Sequence, residues 1–587
     1  MPTLNWIGKD KVVNHHTQVP FRVLDHQYGY DSNHPERKDP TKSGNKIIHG
    51  ENLEALKALL PEFEGKIDCE YIDPPYNTGN EAWVYNDNVN DPHIKKWLGE
   101  VVGREGEDMS RHDKWLCMMY PRLRLLYKLL SPQGVIFISI DDNEEKNLLH
   151  ICDEIFGSSC FVANISWQRA YSPRNDSKGI VSEAEHILVY SKNPDWQPNK
   201  LPRTAEMNAK YGNPDNDVAL WRSSDAFAPG AITHQGMVYG IQHPFSGEII
   251  YPYDTACWRY GQEEMFTIMN GWCDYEFRDL HDDKRRADVC GISADEVRKG
   301  VLGIVLKDDL ETSKRKAQAV MDRGQWPRYY FTKGGKGGIA RKTYLTNVEG
   351  KVPTNLWPFS EVGHTDEAKK ELMAIFGGKS PFDTPKPTRL IERILTIATN
   401  KNSIVLDSFA GSGTTAHAVL KKNAEDGGNR NFILVELGDY AENVTAERVR
   451  RVMTGYGEGK NIVEGLGGEF DFYELGKPLF IEDGRLNNEV DIEKIRAYIY
   501  YSETRQPISQ GIDANNQYWM GNHDETGYYF YYKPDGTTNL SFRTLDKVIT
   551  QPAESYIVYA DTCSLSKEFL ATHHIYFKRI PIDIKRF

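Results

Sequence analysis

The chain has 587 residues, a formal net charge of −13 at pH 7 and a hydrophobic content of 39%. This length is too great for one ordinary core and predicts several folded units, and the apolar and aromatic content excludes a disordered chain. No apolar stretch approaches the ~20 residues needed to cross a bilayer, and the N-terminus lacks the apolar centre of a secretory signal, so a cytoplasmic protein is predicted. The acidic balance argues only weakly against nucleic acid, because contact electrostatics act over ~10 Å.

The cysteine and histidine pattern predicts no metal site. The 8 cysteines are scattered, without a CxxC pair or a zinc-type Cys/His spacing. His15-His16 and His281-Asp282-Asp283 lack a matching third ligand, and their side chains are predicted to lie on the surface.

From Lys46 to Lys192, helical and strand patterns alternate. The pattern predicts helices at ENLEALKALLPEF, WLCMMYPRLRLLYKLL and DDNEEKNLLHICDEIF, and strands at KIDCEYID, GVIFISI and EHILVYSK. Strands and helices that alternate at this spacing indicate a parallel α/β sheet.

The middle of the chain, from about Asn193 to Ser380, loses that rhythm and is rich in Trp, Tyr, Gly and Pro, with a helix predicted from Asp295 to Met321. The rhythm then returns with helices at PTRLIERILTIAT, SGTTAHAVLKKNA and YAENVTAERVRRVM, and strands at SIVLD and NFILVE. The sequence therefore predicts one sheet domain split by a large insert, followed from about Gly457 by a small mixed α/β unit.

A glycine-rich loop, DSFAGSGTT (407–415), connects a predicted strand to a predicted helix. It matches neither the dinucleotide pattern GxGxxG nor the phosphate loop GxxxxGK[ST], and it lacks a lysine for a triphosphate. Glu436 ends the next strand, at the distance along the chain where an acidic residue reaches a ribose diol. The pair predicts a nucleoside cofactor without a polyphosphate, S-adenosylmethionine; the alternative is a simple strand-to-helix turn with an unrelated glutamate.

A second turn, Asp73-Pro74-Pro75-Tyr76, ends another predicted strand. The prolines remove two amide donors and stiffen the turn. The Asp73 carboxylate and Pro74 carbonyl could accept the two hydrogens of a nucleobase amine, and Tyr76 could stack on a base that has left the duplex. The alternative is a strand end with Tyr76 in the core.

The order DPPY (73–76), irregular middle, FAGSG (409–413) resembles that of the β-class DNA amino-methyltransferases, and more closely the modification subunits of Type III restriction systems. The resemblance implies a Rossmann-like S-adenosylmethionine-dependent α/β fold, circularly permuted and interrupted by a target-recognition domain, with a small C-terminal α+β domain. The implied divisions are an N-terminal arm (1–45), a catalytic half (46–192), a target-recognition domain (193–380), a cofactor-binding half (381–456) and a C-terminal domain (457–587).

By the resemblance, the catalytic residues are those of the DPPY turn, and the cofactor-binding residues come from three segments. The assigned cofactor-binding residues are Glu51, Asn52, Asp407, Phe409, Ala410, Gly411, Gly413, Thr414, Thr415 and Glu436. Glu51 and Asn52 would lie near the cofactor adenine, although the family more often has Asp at position 51.

Basic and aromatic residues concentrate in RGQWPRYYFTKGGKGGIARK (323–342), which suits phosphate contacts. The predicted DNA-binding residues are Arg323, Arg328, Lys333, Lys336, Arg341 and Lys342. The sequence and the resemblance together predict a nucleoid-associated adenine-N6 methyltransferase of double-stranded DNA, forming a homodimer and binding a restriction helicase-nuclease subunit. Cytosine N4, a subunit that chiefly reads sequence for that nuclease, and methylation of RNA or protein are the alternatives.

Overall fold

The computed structural model describes residues 3–35, 38–77, 110–172, 180–508 and 517–586. The chain forms two compact units. The first unit contains Met1–Asn199 and Pro353–Phe587, and the second contains Lys200–Val352. Among the described residues, no helix is long and apolar enough to span a membrane.

The first unit is built on a sheet of ten strands. In chain order they are β1 (Arg22–Asp31), β2 (Lys46–His49), β3 (Ile67–Ile72), β4 (Leu130–Ile140), β5 (Phe161–Gln168), β6 (Ala184–Ser191), β7 (Leu356–Trp357), β8 (Ile404–Asp407), β9 (Asn431–Glu436) and β10 (Glu469–Pro478). Their order across the sheet is β1-β10-β2-β9-β8-β3-β4-β6-β5-β7. The six strands from β10 to β4 are mutually parallel, whereas β1 and β6 run antiparallel to their neighbours.

The register of the central strands aligns the ends of segments that are far apart in sequence. Val405 of β8 lies opposite Cys69 of β3, and Leu406 lies opposite Glu70. Because the two strands are parallel neighbours, the turn after Ile72 and the loop after Asp407 emerge at the same edge of the sheet. Ligands of open parallel sheets bind at this carboxyl edge.

Six helices of eight or more residues accompany these strands. They are α1 (Asn52–Phe63), α2 (Ser110–Leu129), α3 (Glu145–Phe156), α4 (Thr388–Ala398), α5 (Thr414–Asp426) and α6 (Glu447–Thr454), the last preceded by a π-helical turn, Ala441–Ala446. Shorter or peripheral helices of the same unit are Lys9–Val12, His15–Gln18, Ser158–Cys160, Phe359–Val362, Thr365–Ile375 and Gly459–Asn461. The apolar side of α4 (Leu390, Ile391, Ile394, Leu395) is fully buried, as its helical spacing predicts. The sequence thus predicted these α/β elements to within a few residues.

Near the N-terminus, one sequence expectation is wrong. His15 and His16 are buried rather than on the surface. Burial lowers the pKa of His16 to about 4, and Lys128, Arg124 and Lys57 lower it further by charge repulsion. A pair of histidines in a polar segment gives no sequence signal for burial, because the covering helix α2 lies about a hundred residues later.

The second unit has its own apolar core of aromatic side chains, including Trp258, Trp272 and Tyr329. Its strands are Trp221–Asp225, Phe227–Pro229, Ile241–Gln242, Ile249–Ile250, Ala256–Trp258, Tyr275–Arg278, Gly303–Leu306, Tyr329–Phe331 and Ile339–Tyr344. Its helices are Ala205–Asn208, Gln235–Met237, Gln262–Met269, Asp283–Cys290, Leu310–Arg323, Thr332–Gly335 and Leu345–Asn347.

The helix predicted from Asp295 to Met321 is only partly present. A strand, Gly303–Leu306, occupies its first half, and the helix begins at Leu310. The reasons are local: GIVL is β-branched, and the Asp309 side chain caps the helix by accepting from Thr312 N at 3.0 Å.

The bounds of the second unit, Lys200–Val352, are narrower than the predicted segment 193–380. The reason is visible in the sheet, where β7 pairs in parallel with β5 at Leu356 and Trp357. Residues 353–380 therefore belong to the first unit.

Both chain ends contribute to the large sheet. β1 lies within the predicted arm and β10 within the predicted C-terminal domain, yet the two strands pair with each other, and β10 pairs with β2. Beyond β10, a four-stranded sheet is formed by Trp519–His523, Thr526–Phe530, Ser555–Ala560 and Ile575–Arg579. Two-stranded ladders (Gly455–Tyr456 with Val463–Glu464, Asn539–Leu540 with Thr562–Cys563) and the helices Ile492–Thr504, Leu545–Val548 and Lys567–Thr572 complete the fold.

Candidate active site

The turn after β3 is held rigidly. Tyr76 donates its hydroxyl hydrogen to Asp73 Oδ1 at 2.7 Å. Trp115 of α2 donates from Nε1 to the Pro75 carbonyl at 2.7 Å. Asn77 follows in the left-handed region, with φ 59°, and Thr78-Gly79-Asn80 lie outside the described residues. The prolines and these bonds fix the direction of the Asp73 carboxylate.

Two residues that sequence reasoning missed complete the surroundings of Asp73. Lys386, just before α4, donates from Nζ to Asp73 Oδ1 at 2.8 Å, to Tyr76 Oη at 2.5 Å and to Glu185 Oε2 at 3.2 Å. Glu185, at the start of β6, also accepts from the Tyr76 hydroxyl at 3.1 Å and from Arg169 at 3.1 Å. The only sequence signals were a Lys-Pro pair before a helix and an acid at the start of an apolar strand.

Burial and charge act against each other at these groups. Burial raises the pKa of Asp73, and the Lys386 ammonium opposes that rise. Burial disfavours the charged form of Lys386, but the two carboxylates outweigh it and raise its pKa. Burial also raises the pKa of Tyr76 well above its ordinary value, with Asp73 acting in the same direction, so its hydroxyl stays a hydrogen-bond donor.

The glycine loop turns sharply between β8 and α5. Gly411 and Gly413 have φ angles of 52° and 79°, which favour glycine. A Cβ at Gly413 would lie 3.0 Å from Thr445 O, and one at Gly411 would lie 3.2 Å from the Phe382 ring. The loop is therefore closed on one side by neighbouring chain and has no room there for side chains.

Buried carboxylates hold both ends of this loop. Asp407 accepts from Phe409 N at 3.0 Å and from the Thr415 hydroxyl. Glu436 accepts from Gly411 N at 2.7 Å and from Gly438 N at 2.8 Å. Burial raises the pKa of Asp407 to about 7, against the lowering by its hydrogen bonds from Thr415 and Phe409, and burial also raises the pKa of Glu436.

A buried arginine that the sequence did not reveal supports the same loop. Arg448 of α6 donates to Ser412 Oγ at 2.9 Å, to Thr414 Oγ1 at 2.7 Å and to Thr388 Oγ1 at 3.1 Å. The Thr414 hydroxyl also donates to the Lys386 carbonyl at 3.3 Å. These bonds connect the glycine loop to the residue that contacts Asp73.

Glu51 and Asn52 lie at the start of α1, after β2. Glu51 caps this helix by accepting from Glu54 N at 2.9 Å and forms an ion pair with the buried Arg122. Asn52 donates to the Ser408 carbonyl at 3.3 Å and also accepts from Arg122. The structure thus brings residues from β2, β3, β8 and β9 to one edge of the sheet.

The six predicted DNA-binding residues, which all lie in the second unit, fall into different environments. Arg323, Arg328, Lys333 and Lys336 are exposed, and Arg341 is partly exposed. Lys342 is fully buried, where it donates to Asp217 Oδ2 at 2.6 Å, to the Trp326 carbonyl at 2.7 Å and to Asp215. Because a phosphate cannot reach a fully buried ammonium, the prediction for Lys342 is wrong.

Comparison with known proteins identifies the class to which this fold and site belong. The chain matches the DNA methylase family N6_N4_Mtase over residues 67–447, more than half of its length, and it belongs to this family. The family resemblance inferred from the two motifs is confirmed.

Individual relatives extend the similarity. The chain is 32% identical to the Type III restriction-modification enzyme StyLTI Mod subunit of Salmonella typhimurium, over 75% of this chain and 59% of the relative. It is 30% identical to the EcoPI Mod subunit of Escherichia phage P1, over 74% of this chain and 63% of the relative. It is 29% identical to the Type II methyltransferase M.KpnI of Klebsiella pneumoniae, over 72% and 89%. The chain thus spans about three fifths of the length of the two Mod subunits.

Two solved structures show lower similarity. The cytosine-N4-specific PvuII DNA methyltransferase matches 69% of this chain and 86% of its own, with 13% identity and a TM-score of 0.31. The M1.HpyAVI–SAM complex matches 69% and 98%, with 14% identity and a TM-score of 0.28.

Proposed function

We propose that this protein is a DNA methyltransferase that transfers a methyl group from S-adenosylmethionine to the N6 amine of adenine after base flipping, as the modification subunit of a restriction-modification system. The observation that carries the proposal is the pairing of β3 with β8, which brings the Asp73 turn and the glycine loop to the same edge of the sheet. A reaction between a flipped base and a bound methyl donor requires both segments in one crevice.

The residues around the loop fit the cofactor. The backbone at Gly411 and Gly413 leaves no space for side chains on its covered face, as expected where a backbone approaches a ligand closely. Donors and acceptors are hydroxyls, amides and the Glu436 carboxylate, which suits an amino acid and a ribose diol. The loop carries no lysine, so a polyphosphate is a poorer candidate. When bound, S-adenosylmethionine supplies a methyl group on a positively charged sulfur.

The residues of the Asp73 turn would act on the target amine. The lone pair of an exocyclic amine is conjugated into the base and is therefore a poor nucleophile. Asp73 Oδ and the Pro74 carbonyl accept its two hydrogens, which favours a pyramidal nitrogen with its lone pair directed at the methyl group. Tyr76 supports the base by stacking. As the N–C bond forms and the C–S bond breaks, the nitrogen loses one proton towards these acceptors.

The arrangement along the chain is that of a circularly permuted methyltransferase, because the Asp73 strand precedes the glycine loop. The second unit, Lys200–Val352, lies between them in sequence and is proposed to read the DNA site. Support comes from the exposed cations Arg323, Arg328, Lys333 and Lys336, together with Arg341, whose charges suit phosphate contacts. Arg328 lies 5.5 Å from the Tyr260 ring, so basic and aromatic groups are adjacent there.

Adenine is favoured over cytosine by the DPPY sequence and by the Mod subunits among the relatives. Cytosine N4 is the second candidate, because its amine has the same chemistry and the PvuII enzyme is cytosine-N4-specific. Digestion of methylated DNA followed by mass spectrometry separates the two. N6-methyladenine is expected, and N4-methylcytosine alone would overturn the adenine assignment.

The catalytic assignment is tested by Asp73→Asn, with Asp141→Asn as its matched control. Both residues follow parallel strands at the carboxyl edge, but Asp141 accepts from the Asn143 backbone at 3.0 Å instead of bonding to Lys386. Asp73→Asn is expected to lower the methylation rate by at least ~10²-fold, while specific DNA binding persists and Asp141→Asn stays near wild type. Equal losses in both variants, measured by transfer of labelled methyl groups to DNA, would contradict the assignment.

The relatives named as Mod subunits also suggest assembly. A homodimer and a complex with a restriction helicase-nuclease subunit are proposed, and the alternative is a chain that chiefly reads sequence for that nuclease. Retention of methylation by the purified chain separates these roles. A chain that binds one DNA sequence specifically but transfers no methyl groups would favour the alternative.

A further inference from the structure

The ammonium of Lys386 occupies the acceptors that the proposed target amine needs. Its three hydrogen-bond acceptors are Asp73 Oδ1, Tyr76 Oη and Glu185 Oε2, at 2.8, 2.5 and 3.2 Å. An ammonium group has three donors and no acceptor, so this site satisfies it completely. A nucleobase amine that binds Asp73 must therefore displace Lys386 from that carboxylate.

The charges around Lys386 balance in a chain of four groups. Arg169 bonds to Glu185 Oε1 at 3.1 Å, Glu185 bonds to Lys386, and Lys386 bonds to Asp73. The Lys386 and Glu185 side chains are only 11% and 8% exposed. The Lys386 ammonium also lies 4.9 Å from the Tyr76 ring and 5.6 Å from the Trp167 ring.

The surroundings limit where the ammonium can go. A buried charge that loses its partner is strongly destabilising, so Lys386 cannot leave Asp73 unless another carboxylate keeps it. Glu185 is the second carboxylate within hydrogen-bond reach of Nζ. Its other oxygen is held by Arg169, which fixes the direction of the carboxylate.

We propose that Glu185 is a positioning residue that retains the Lys386 ammonium when the target amine takes Asp73. This inference rests on the proposed methyl transfer. In the free protein, Lys386 bonds to both carboxylates. When the base enters, Lys386 gives up Asp73 and keeps Glu185, so Asp73 becomes available as an acceptor while the pair of Lys386 and Glu185 stays neutral. Without Glu185, the ammonium has Asp73 as its only carboxylate and blocks it.

The proposal predicts a specific non-additive pattern among three variants, Glu185→Gln, Lys386→Met and the double variant. Glu185→Gln is expected to lower kcat for methylation by about tenfold or more, because the ammonium stays on Asp73. Lys386→Met is expected to lower kcat as well, because the carboxylates lose their shared cation. The double variant removes one charge of each sign, and its kcat is expected to exceed that of Glu185→Gln by about tenfold.

Several readouts separate this role from a folding defect. Thermal unfolding and the Kd for S-adenosylhomocysteine, measured on the full chain, are expected to change little in Glu185→Gln, since the glycine loop is intact. Glu185→Asp keeps the charge and should restore part of kcat. Glu183→Gln, the same change two residues earlier, is the control.

The outcomes also distinguish this inference from the proposed function. If the wild-type chain transfers no methyl group to DNA, the proposed function fails. If the wild type is active but the double variant shows the product of the two single losses, Glu185 and Lys386 act independently, and only the inference about Glu185 is overturned. An unchanged kcat in Glu185→Gln overturns it as well.

Discussion

Lys336 and Lys342 lie six residues apart and carry the same charge, but their burial separates their roles. Lys342 is fully buried between Asp215 and Asp217, whereas Lys336 is exposed. Lys342→Met leaves two carboxylates without their cation, so we expect the free energy of unfolding of the Lys200–Val352 unit to fall by about 3–5 kcal/mol. Chemical denaturation followed by tryptophan fluorescence measures the change.

The matched control for that loss is Lys336→Met. Stability should change by less than about 0.5 kcal/mol, and DNA affinity should fall with a decrease of about one in the salt slope. If Lys342→Met were as stable as Lys336→Met and lost DNA affinity instead, the buried ion pair would have no structural role and the original sequence expectation would be restored.

The two ends of helix α5 offer a matched pair of glycines. Gly413 precedes the helix and Gly427 follows it, with φ angles of 79° and 65°. A Cβ at Gly413 would lie 3.0 Å from Thr445 O, whereas one at Gly427 has no atom within 4 Å. Alanine at either position costs about 1–2 kcal/mol because of the left-handed backbone.

Only Gly413→Ala also disturbs the loop between β8 and α5. We expect it to weaken binding of S-adenosylhomocysteine by about tenfold or more, whereas Gly427→Ala leaves the Kd near wild type. Isothermal titration calorimetry on the two variants measures the difference. Equal affinities would mean that the loop does not bind this cofactor through its backbone.

At this level of the fold, periodicity in the sequence was sufficient for the strands and helices of the large sheet. Helix α4, for example, shows its apolar stripe at helical spacing in TRLIERILTIA. The turn at Asp73 and the loop at Gly411 were predictable because proline and glycine restrict the backbone locally. Lys386 and Glu185 were not, because their significance depends on contacts with residues 110 to more than 300 positions away, and no local pattern encodes such contacts.

The division of the chain into two units leads to a prediction for the whole molecule. Leu201 and Lys351 form an antiparallel bridge, with N–H···O distances of 2.8 and 2.9 Å, so the two ends of the second unit lie side by side. A two-residue turn can connect such a pair. Replacing residues 202–350 by Asn-Gly should leave the first unit folded and able to bind S-adenosylhomocysteine, while sequence-specific DNA binding is lost.

Circular dichroism, cofactor titration and a DNA mobility-shift assay together test this excision. The full chain serves as the reference, and a chain lacking residues 1–31 serves as the contrast, because it loses β1, the partner of β10. Failure of the excised chain to fold would show that the first unit needs the second. Specific DNA binding by the excised chain would place recognition outside Lys200–Val352.

The pairing of β3 with β8 also has a consequence for synthesis on the ribosome. β3 ends at Ile72, and its neighbour β8 begins at Ile404. At about 5–20 residues per second, the later strand emerges roughly 20–70 s after the earlier one. During that interval one side of β3 has no native strand to pair with, and unpaired strand edges are where chains aggregate. The half-translated protein, more than the finished one, is therefore the stage at which chaperones would matter.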